Sequence, residues 1–414
     1  MSMVSIFIDD IKSLLFSFLT EFVLSKSENL KARILIYHVN GFSYGGTEKG
    51  LQFIAKNLNK DKFDVYFMSG ERADAFGKLS KNDIETKKDE LSQLGVSLII
   101  MNYQRQMGPP SHAIIGANPS PRDVVKTLKI DLFITANMGY ADYPIPLLNC
   151  PSIIIDVFGY GKTLSGKVKY LLPISEAVKK TYQEVISDKK FEVLPWPVPR
   201  PPTNLVKLRN EFRTKYRLNS EALVFGRIGR NDDSIFDPIA IKAFTKIVSE
   251  NSLCYYVIVG PSESLKKIVL EKQIPNVILI QSIASEEDVW AFHSAIDVLA
   301  HYRLDGESQG VNIIESMAVG NPIISHKSNN WNAHLEYLAN NFSFVAEVDD
   351  YEQYFNFMEY FTISGHGKVI DQMRNCAREV YETRFSPERY ISRIDEIITK
   401  LTANKLDEAS SENV

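Results

Sequence analysis

One stretch in the second half of the chain decides the fold, and it reads Gly306-Glu307-Ser308-Gln309-Gly310-Val311-Asn312-Ile313-Ile314-Glu315. The apolar run that precedes it, residues 295–300, predicts a strand. Residues 313–319, which follow, have helical spacing and stop at Gly320, because glycine readily takes the left-handed conformation that closes a helix. A strand, a tight loop and a helix in this order are the repeating unit of an open parallel sheet.

Two carboxylates in this stretch flank a loop that favours an anion. We expect Glu307 on the loop at the carboxyl end of a parallel strand, and Glu315 in the second turn of the helix. Between them, the N–H groups of Gln309, Gly310 and Val311 point out of the helix N-terminus, where the backbone favours a phosphate. This pattern suits a sugar nucleotide, which offers an anionic diphosphate and sugar hydroxyls. The alternative is that both glutamates are ordinary solvated residues.

The stretch resembles the signature of the family 4 glycosyltransferases, part of the glycosyl transferases group 1 and retaining enzymes of the two-Rossmann-domain (GT-B) architecture. The likeness continues through residues 315–324, Glu-Ser-Met-Ala-Val-Gly-Asn-Pro-Ile-Ile. By this resemblance, Glu307 contacts the donor sugar and Glu315 the ribose hydroxyls. The predicted donor-binding residues are Glu315, Gln309, Gly310, Val311, Ser308, Arg227, Gly45, Gly46, Ser282 and Ile283, and the predicted catalytic residues are Glu307, Arg230 and Asp156.

Two further motifs resemble the same family. Gly45-Gly46-Thr47-Glu48 is similar to its Gly-Gly-x-Glu loop, where backbone amides approach the donor phosphate; the alternative is an ordinary turn with Thr47 as helix N-cap. Family members also show Gly-Arg and then a lysine, two cations that neutralise the leaving diphosphate. Here we favour Arg230, with Arg227 second, and Ile235 or Phe236 stands in place of the lysine. The alternative for the arginines is surface salt bridging.

Asp156 ends the predicted strand at residues 153–155, where many family members have a histidine that contacts the sugar. An aspartate there is a candidate polar contact with the sugar, but it serves equally well as a cap for Lys162 or for a helix. The segment that ends in Gly161-Lys162-Thr163 is similar to a phosphate-binding loop, but that motif needs glycine where Asp156 stands, which excludes an ATPase.

Length and composition fit two domains and exclude some partners. The chain has 414 residues, enough for two separate cores. Its 47 basic and 51 acidic residues give a net charge of −4, which is not the pattern of a nucleic-acid-binding protein. Three cysteines, far apart in sequence, indicate neither a metal site nor a disulfide framework, and they predict a cytoplasmic setting.

Strands alternate with helices in both halves of the chain, which predicts an α/β fold of two Rossmann-like domains whose parallel sheets face a central cleft. We expect an N-terminal amphipathic helix over residues 1–29, an acceptor-side domain over 30–202 and a donor-side domain over 203–386. The boundary lies in a proline-rich, semi-rigid linker, residues 194–202. A helix over 387–404 then crosses back to the first domain, and 405–414 form a disordered tail.

The N-terminal segment carries too many charges to span a bilayer, so it predicts a helix packed on the first domain, with a membrane-surface anchor as the alternative.

These patterns predict a retaining glycosyltransferase, hexosyl or related, that moves a sugar from a nucleoside-diphosphate sugar to a hydroxyl acceptor on a glycan, lipid or protein. The chain has no Asp-x-Asp pair to hold a divalent cation, so metal-independent transfer without a cofactor is expected. One alternative is a sugar-nucleotide or glycan-binding relative without activity, suggested by the missing lysine and histidine. A nucleotide-cofactor oxidoreductase is disfavoured, because the glycines of this chain do not have the Gly-x-Gly-x-x-Gly spacing of a dinucleotide-binding loop.

Overall fold

The computed structural model describes residues 31–43, 45–70, 81–105, 114–137, 144–159, 166–182, 190–283, 285–339, 341–364 and 368–411. The predicted helix over residues 1–29 and the residue Lys162 lie outside this part of the chain. The chain divides into two compact units. The first holds the described residues before Ile174, those from Thr181 to Glu192 and those from Ile391 onward; the second holds Ile174–Lys180 and Val193–Tyr390.

The first unit is built on an eight-stranded sheet in the order β4-β3-β2-β1-β5-β6-β7-β8. The strands are β1 (Ala32–Tyr37), β2 (Phe63–Gly70), β3 (Ser97–Arg105), β4 (Ile114–Asn118), β5 (Leu132–Asn137), β6 (Ser152–Asp156), β7 (Val168–Pro173) and β8 (Lys190–Phe191). Neighbouring strands run parallel except for β4, which is antiparallel to β3. Its helices are α1 (Gly46–Asn57), α2 (Lys81–Gln93) and α3 (Pro121–Thr127).

The second unit is built on a six-stranded, wholly parallel sheet in the order β11-β10-β9-β12-β14-β16. Its strands are β9 (Leu223–Ile228), β10 (Cys254–Val259), β11 (Val277–Ile280), β12 (Val298–Ala300), β14 (Ile323–His326) and β16 (Ser343–Ala346), and the two-residue strands β13 (Gly306–Glu307) and β15 (Trp331–Asn332) form a separate parallel pair. Its helices are α4 (Glu176–Lys180), α5 (Leu205–Lys215), α6 (Ile239–Glu250), α7 (Glu263–Glu271), α8 (Glu286–Ala295), α9 (Val311–Val319), α10 (Tyr351–Ser364) and α11 (Lys368–Arg384).

The cores explain why these segments form strands. Runs such as Leu132–Ile134 in β5 and Tyr256–Ile258 in β10 are fully buried, as expected for strands covered on both faces. This confirms the predicted α/β class with parallel sheets in two domains, apart from the antiparallel edge strand β4. Within the described residues, no helix is long and apolar enough to cross a membrane.

The proline-rich segment 194–202 contains neither a helix nor a strand, in agreement with its sequence, yet it is tightly bound within the second unit. The N–H of Val198 donates to the carbonyl of Phe385 at 3.2 Å, and the hydroxyl of Tyr381 donates to the carbonyl of Val198 at 3.0 Å. Trp196 is 2 % exposed. This segment is therefore a packed part of the second unit.

The last helix, α12 (Pro387–Ser411), begins in the second unit and continues among the residues of the first from Ile391 onward. Within the first unit, Arg393 forms a bidentate pair with Glu192. The helix extends to Ser411, past the predicted end at residue 404, because no glycine or proline interrupts residues 404–411. Residues 412–414, the end of the predicted tail, lie outside the part of the chain that the structure describes.

Candidate nucleotide-sugar site

The strand order places the candidate site in the second unit. The order of its sheet reverses between β9 and β12, which are adjacent but not consecutive. In open parallel sheets, the loops that leave the carboxyl ends of two such strands diverge and form a crevice. The loop after β9 carries Arg230, and the loop after β12 leads to Glu307 and to the N-terminus of α9. Arg230, Glu307 and the N-terminus of α9 thus lie at one topological switch point.

The N-terminus of α9 has the features of an anion cradle. Its N-cap is Gly310, with φ 85° and ψ 60°, a left-handed conformation that favours glycine. A Cβ atom at this position would lie 2.8 Å from the hydroxyl of Tyr337, so space as well as backbone geometry requires glycine. Within the described residues, the N–H groups of Gly310, Val311 and Asn312 have no acceptor. Together with the helix dipole, they favour a negatively charged ligand.

The loop before α9 is fixed by side-chain contacts. The Gln309 side chain is buried and pairs with the backbone of Trp196: its Oε1 accepts from the N–H at 3.0 Å and its Nε2 donates to the carbonyl at 2.8 Å. The hydroxyl of Tyr337 donates to the carbonyl of Gln309 at 2.5 Å. The Gln309 side chain therefore holds the loop, and its backbone N–H is the group left for a ligand. Ser308, next to it, is half-buried.

Glu307 is 8 % exposed and lies beside cationic and polar groups. Its Oε1 is 3.2 Å from Nε2 of His301, and its Oε2 is 3.7 Å from a terminal nitrogen of Arg303. Burial by itself would raise the pKa of Glu307, but His301 and Arg303 outweigh it and lower this pKa below its ordinary value. Glu307 is therefore an anion at neutral pH, suited to accept hydrogen bonds from hydroxyl groups.

Glu315 lies on α9 with a side chain that is 14 % exposed. Its Oε2 is 3.4 Å from Nε2 of His293, a fully buried residue of α8. The second predicted carboxylate is thus partly open to solvent and is backed by a histidine.

The two candidate arginines have different environments. Arg227 lies on β9, is 3 % exposed, and packs its guanidinium over the ring of Tyr302 with 4.7 Å to the centroid. Arg230 lies beyond the end of β9, its side chain is 59 % exposed, and its nearest carboxylate is that of Asp232 at 4.0 Å. Arg230 is therefore the arginine that is exposed enough to reach a ligand, while Arg227 is buried against Tyr302.

Ser282 and Ile283, also predicted to bind donor, follow β11 at the end of the sheet. Ser282 is exposed and Ile283 half-buried against the core. They lie after the carboxyl end of their strand, as donor-binding residues of such a sheet should, but two strands away from β9.

The remaining predicted residues lie in the first unit. Gly45 is the N-cap of α1 and Gly46 its first residue, so Thr47 lies inside the helix and is not the cap. A Cβ atom on Gly45 would lie 2.2 Å from a carboxylate oxygen of Glu48, so any other residue here would require the Glu48 side chain to shift.

Asp156 is fully buried at the end of β6, where its Oδ1 accepts the N–H groups of Gly159 at 3.0 Å and Phe158 at 3.3 Å. Burial raises its pKa to about 6, although hydrogen bonds from Gly159 and Tyr182 oppose this shift. Oδ1 of the carboxyl group therefore holds the turn at residues 156–159, which is neither of the two capping roles considered from the sequence, a cap for Lys162 or for a helix.

Three residues that support the site are not among the predicted site residues. His301 and Arg303 contact Glu307, and Asn312 donates from its side-chain amide to the carbonyl of Ile228 at 2.8 Å, which ties α9 to the end of β9. No spacing rule connects these residues, because they meet through the loop between β12 and α9.

Comparisons with known proteins agree with this geometry. Residues 209–363 match the family model described as glycosyl transferases group 1. This segment spans the sheet of the second unit, including both glutamates and both arginines, and the match confirms the predicted enzyme class, a glycosyltransferase. None of the curated protein sequences matches the chain.

Solved structures share the fold across almost the whole chain. A glycosyltransferase from Rickettsia africae is 18 % identical, with a TM-score of 0.71 over 90 % of this chain and 99 % of that one. Anabaena HepE in complex with UDP-glucose is 16 % identical, with a TM-score of 0.65 over 89 % and 99 %. The pneumococcal O-GlcNAc transferase GtfA in complex with UDP and GlcNAc is 10 % identical, with a TM-score of 0.65 over 91 % and 99 %. At these identities the likeness shows the fold, which is that of the GT-B glycosyltransferases.

Proposed function

We propose that this chain transfers a sugar from a nucleoside-diphosphate sugar to a hydroxyl acceptor, with retention at the anomeric carbon and without a metal ion. The observation that carries the proposal is the N-terminus of α9, where backbone N–H groups of Gly310, Val311 and Asn312 lie between the anionic Glu307 and the partly exposed Glu315. The diphosphate suits the N–H groups, and hydroxyl groups on either side suit the two carboxylates.

Each residue of the site has a distinct part in this proposal. Glu307 accepts hydrogen bonds from the transferred sugar, Glu315 from the ribose, and Arg230 stabilises the charge that develops on the departing diphosphate. The bond from the anomeric carbon to the diphosphate breaks, and the acceptor oxygen bonds the same face of that carbon. The proton of the acceptor hydroxyl passes to a diphosphate oxygen, so no nucleophile from the protein is needed. Orientation and electrostatics then supply the rate enhancement.

Independence from metal rests on the sequence, which lacks the Asp-x-Asp pair that holds a divalent cation on a diphosphate. Helix dipole, backbone N–H groups and Arg230 would take the place of that cation. Uridine nucleotides are the first donors to try, since HepE and GtfA are described in complex with UDP. The proposed acceptor is a hydroxyl group on a glycan, on a lipid or on a protein-linked acceptor. A lipid acceptor would require peripheral contact of the protein with a membrane.

A second candidate function is a sugar-nucleotide-binding protein that does not transfer. It is favoured by the missing lysine, in whose place Ile235 or Phe236 stands. Ile235 lies in a short 3-10 helix, Asp233–Ile235, and is 5 % exposed, so its side chain belongs to the core. Arg230 is then the cation of this loop that is open to a ligand. Because the position is buried, Ile235→Lys would place a charge in the core and is unsuitable as a test of restored activity.

The experiment is a panel of nucleotide sugars, scored for release of nucleoside diphosphate with and without EDTA. Release with a donor, unaffected by EDTA, supports the transferase; loss of activity in EDTA that manganese restores would refute metal independence. Thermal unfolding with nucleoside diphosphates and with NAD separates the alternatives, because a ligand that binds the folded state stabilises it. Stabilisation without release points to the binding protein, and stabilisation by NAD alone would contradict both.

A further inference from the structure

His301 is held at the carboxyl end of β12 by its own backbone. Its N–H donates to the carbonyl of Ile324 in β14 at 2.8 Å, and its carbonyl accepts the hydroxyl of Tyr354 at 3.0 Å. The residue is 3 % exposed. With its backbone fixed on both sides and its side chain buried, the imidazole places Nε2 beside Glu307 and Nδ1 beside Asn312.

Asn312 determines which ring nitrogen of His301 carries the proton. The Asn312 side-chain nitrogen donates to the carbonyl of Ile228 at 2.8 Å, and its Oδ1 accepts the N–H of Ile313 at 3.0 Å, so the orientation of the amide is set. The same nitrogen lies 3.4 Å from Nδ1 of His301. A nitrogen that faces an N–H donor must be unprotonated, which assigns the proton of the neutral imidazole to Nε2.

That Nε2–H faces the carboxylate of Glu307. The distance from Nε2 to Oε1 is 3.2 Å, but the N–H direction is not aligned with this oxygen, so Nε2 lacks a hydrogen-bond partner of good geometry among the described residues. A donor that is buried and poorly satisfied is costly, and a small rotation of the carboxylate would satisfy it. The Nε2–H group of His301 thus favours one orientation of the Glu307 carboxylate.

The groups around His301 keep it neutral. Burial lowers its pKa, Glu307 opposes this shift, and the charges of Arg227 on β9 and of His326 on β14 add to it. His334, in the short 3-10 helix Ala333–Glu336, also faces this cluster, and burial lowers its pKa to about 4. A neutral His301 keeps Nε2–H available to donate to Glu307 without moving a proton to it.

We propose that His301 is a positioning residue, which orients the Glu307 carboxylate toward the donor sugar through Nε2–H, with Asn312 fixing the tautomer. This inference rests on the proposed function, because it assigns the sugar contact to Glu307. It separates recognition of the sugar from recognition of the nucleotide: a change at His301 should affect the first and leave the second.

The test compares His301→Leu with His301→Gln. Leucine removes the donor, while the glutamine amide nitrogen reaches about as far as Nε2. We expect His301→Leu to lower turnover at least tenfold and to bind nucleoside diphosphate within threefold of the wild type. His301→Gln should recover most of the lost turnover. The matched control is Tyr354→Phe, which removes the hydrogen bond to the carbonyl of His301 but leaves the imidazole in place. Equal losses in His301→Leu and His301→Gln, or in the Tyr354 variant, would overturn the proposal.

A spectroscopic readout keeps the inference separate from the proposed function. The chain has seven histidines, few enough to assign in a nitrogen-15 NMR spectrum of the imidazoles. We expect the Nε2–H tautomer for His301 and a shift of its Nε2 signal in Glu307→Gln, while His38 in the first unit stays unchanged. An Nδ1–H tautomer, or no response to Glu307→Gln, overturns the positioning role.

If the wild type binds sugar nucleotides but does not turn over, the proposed transfer fails, and affinity for the intact sugar nucleotide replaces turnover as the test. His301→Leu should then weaken the sugar nucleotide at least tenfold but not the free nucleoside diphosphate. If His301→Leu and His301→Gln bind the sugar nucleotide with equal affinity, the inference is refuted. If the wild type binds no nucleotide, the proposed function fails as a whole, and the assigned role of His301 falls with it even where the NMR contact with Glu307 holds.

Discussion

Two buried carboxyl groups lie at strand ends, one in each unit, and their pKa values shift in opposite directions. Asp156, in the first unit, receives hydrogen bonds from Gly159 and Tyr182, and its burial raises the pKa to about 6. Glu307, in the second, is also buried, but His301 and Arg303 lower its pKa. Hydrogen bonds alone did not outweigh desolvation at Asp156, whereas a hydrogen-bond donor together with the guanidinium of Arg303 did so at Glu307. The second unit thus favours the anion at its strand end, whereas the first favours the protonated form up to about pH 6.

The largest effect is expected at Glu307. Glu307→Ala should lower turnover by about a hundredfold or more, because it removes an interaction that strengthens as charge develops on the sugar. Nucleoside diphosphate should bind nearly as well as before, which calorimetry can measure. The control is Glu250→Ala, which removes an exposed glutamate at the far end of α6. An equal loss of nucleotide affinity and turnover would show that Glu307 does not act on the sugar.

Arg230 comes next. Arg230→Ala should lower the rate roughly a hundredfold, because in the described part of the loop after β9 it is the cation open to a ligand. Lys272→Ala, which removes an exposed cation after α7, should have no effect. Arg227→Ala should mainly reduce thermal stability, since this guanidinium is buried against Tyr302. Full activity in Arg230→Ala would show that another residue contacts the diphosphate.

At Glu315 the expected effect is on binding. Glu315→Ala should weaken nucleoside diphosphate roughly ten- to a hundredfold, because a hydrogen bond to a charged group is worth about 1.5–3 kcal/mol. Turnover at saturating donor should change much less. Titration calorimetry with nucleoside diphosphate measures this directly, and an unchanged affinity in a folded variant would place the ribose elsewhere.

The last prediction concerns Asp156 and the pH dependence of stability, and it expects no change in turnover. A carboxyl group whose pKa is raised from 3.8 to about 6 on folding binds its proton more tightly in the folded state. Its contribution to stability is therefore present below pH 4 and is lost as the pH rises through 6, by about 3 kcal/mol at most. Asp156→Asn, which cannot ionise, should lack this loss, so its stability relative to the wild type should rise between pH 4 and pH 7. Denaturant unfolding across this range measures the difference, and parallel curves would show that Asp156 titrates normally.

The sequence predicted the regular elements well where a single period governs them. The strands predicted within residues 295–300 and 153–155 are present as β12 and β6, and α9 ends at Gly320 with φ 90°. Pairings of two residues, β13 with β15, escaped prediction because so short a segment has no period. The antiparallel edge strand β4 was missed too, since its direction is set by its partner β3.

By itself, the sequence determined the α/β class, the glycine at the start of α9 and the position of both glutamates near one anion cradle. These follow from local patterns, because strand, loop and helix are continuous in the chain. Only the tertiary structure decided the charge state of Glu307, the burial of Ile235 and the hydrogen bonds between the proline-rich segment and Gln309. Each of these depends on which groups exclude water from a side chain. Water is excluded by residues that fold in from distant parts of the sequence, and such contacts leave no periodic trace in it.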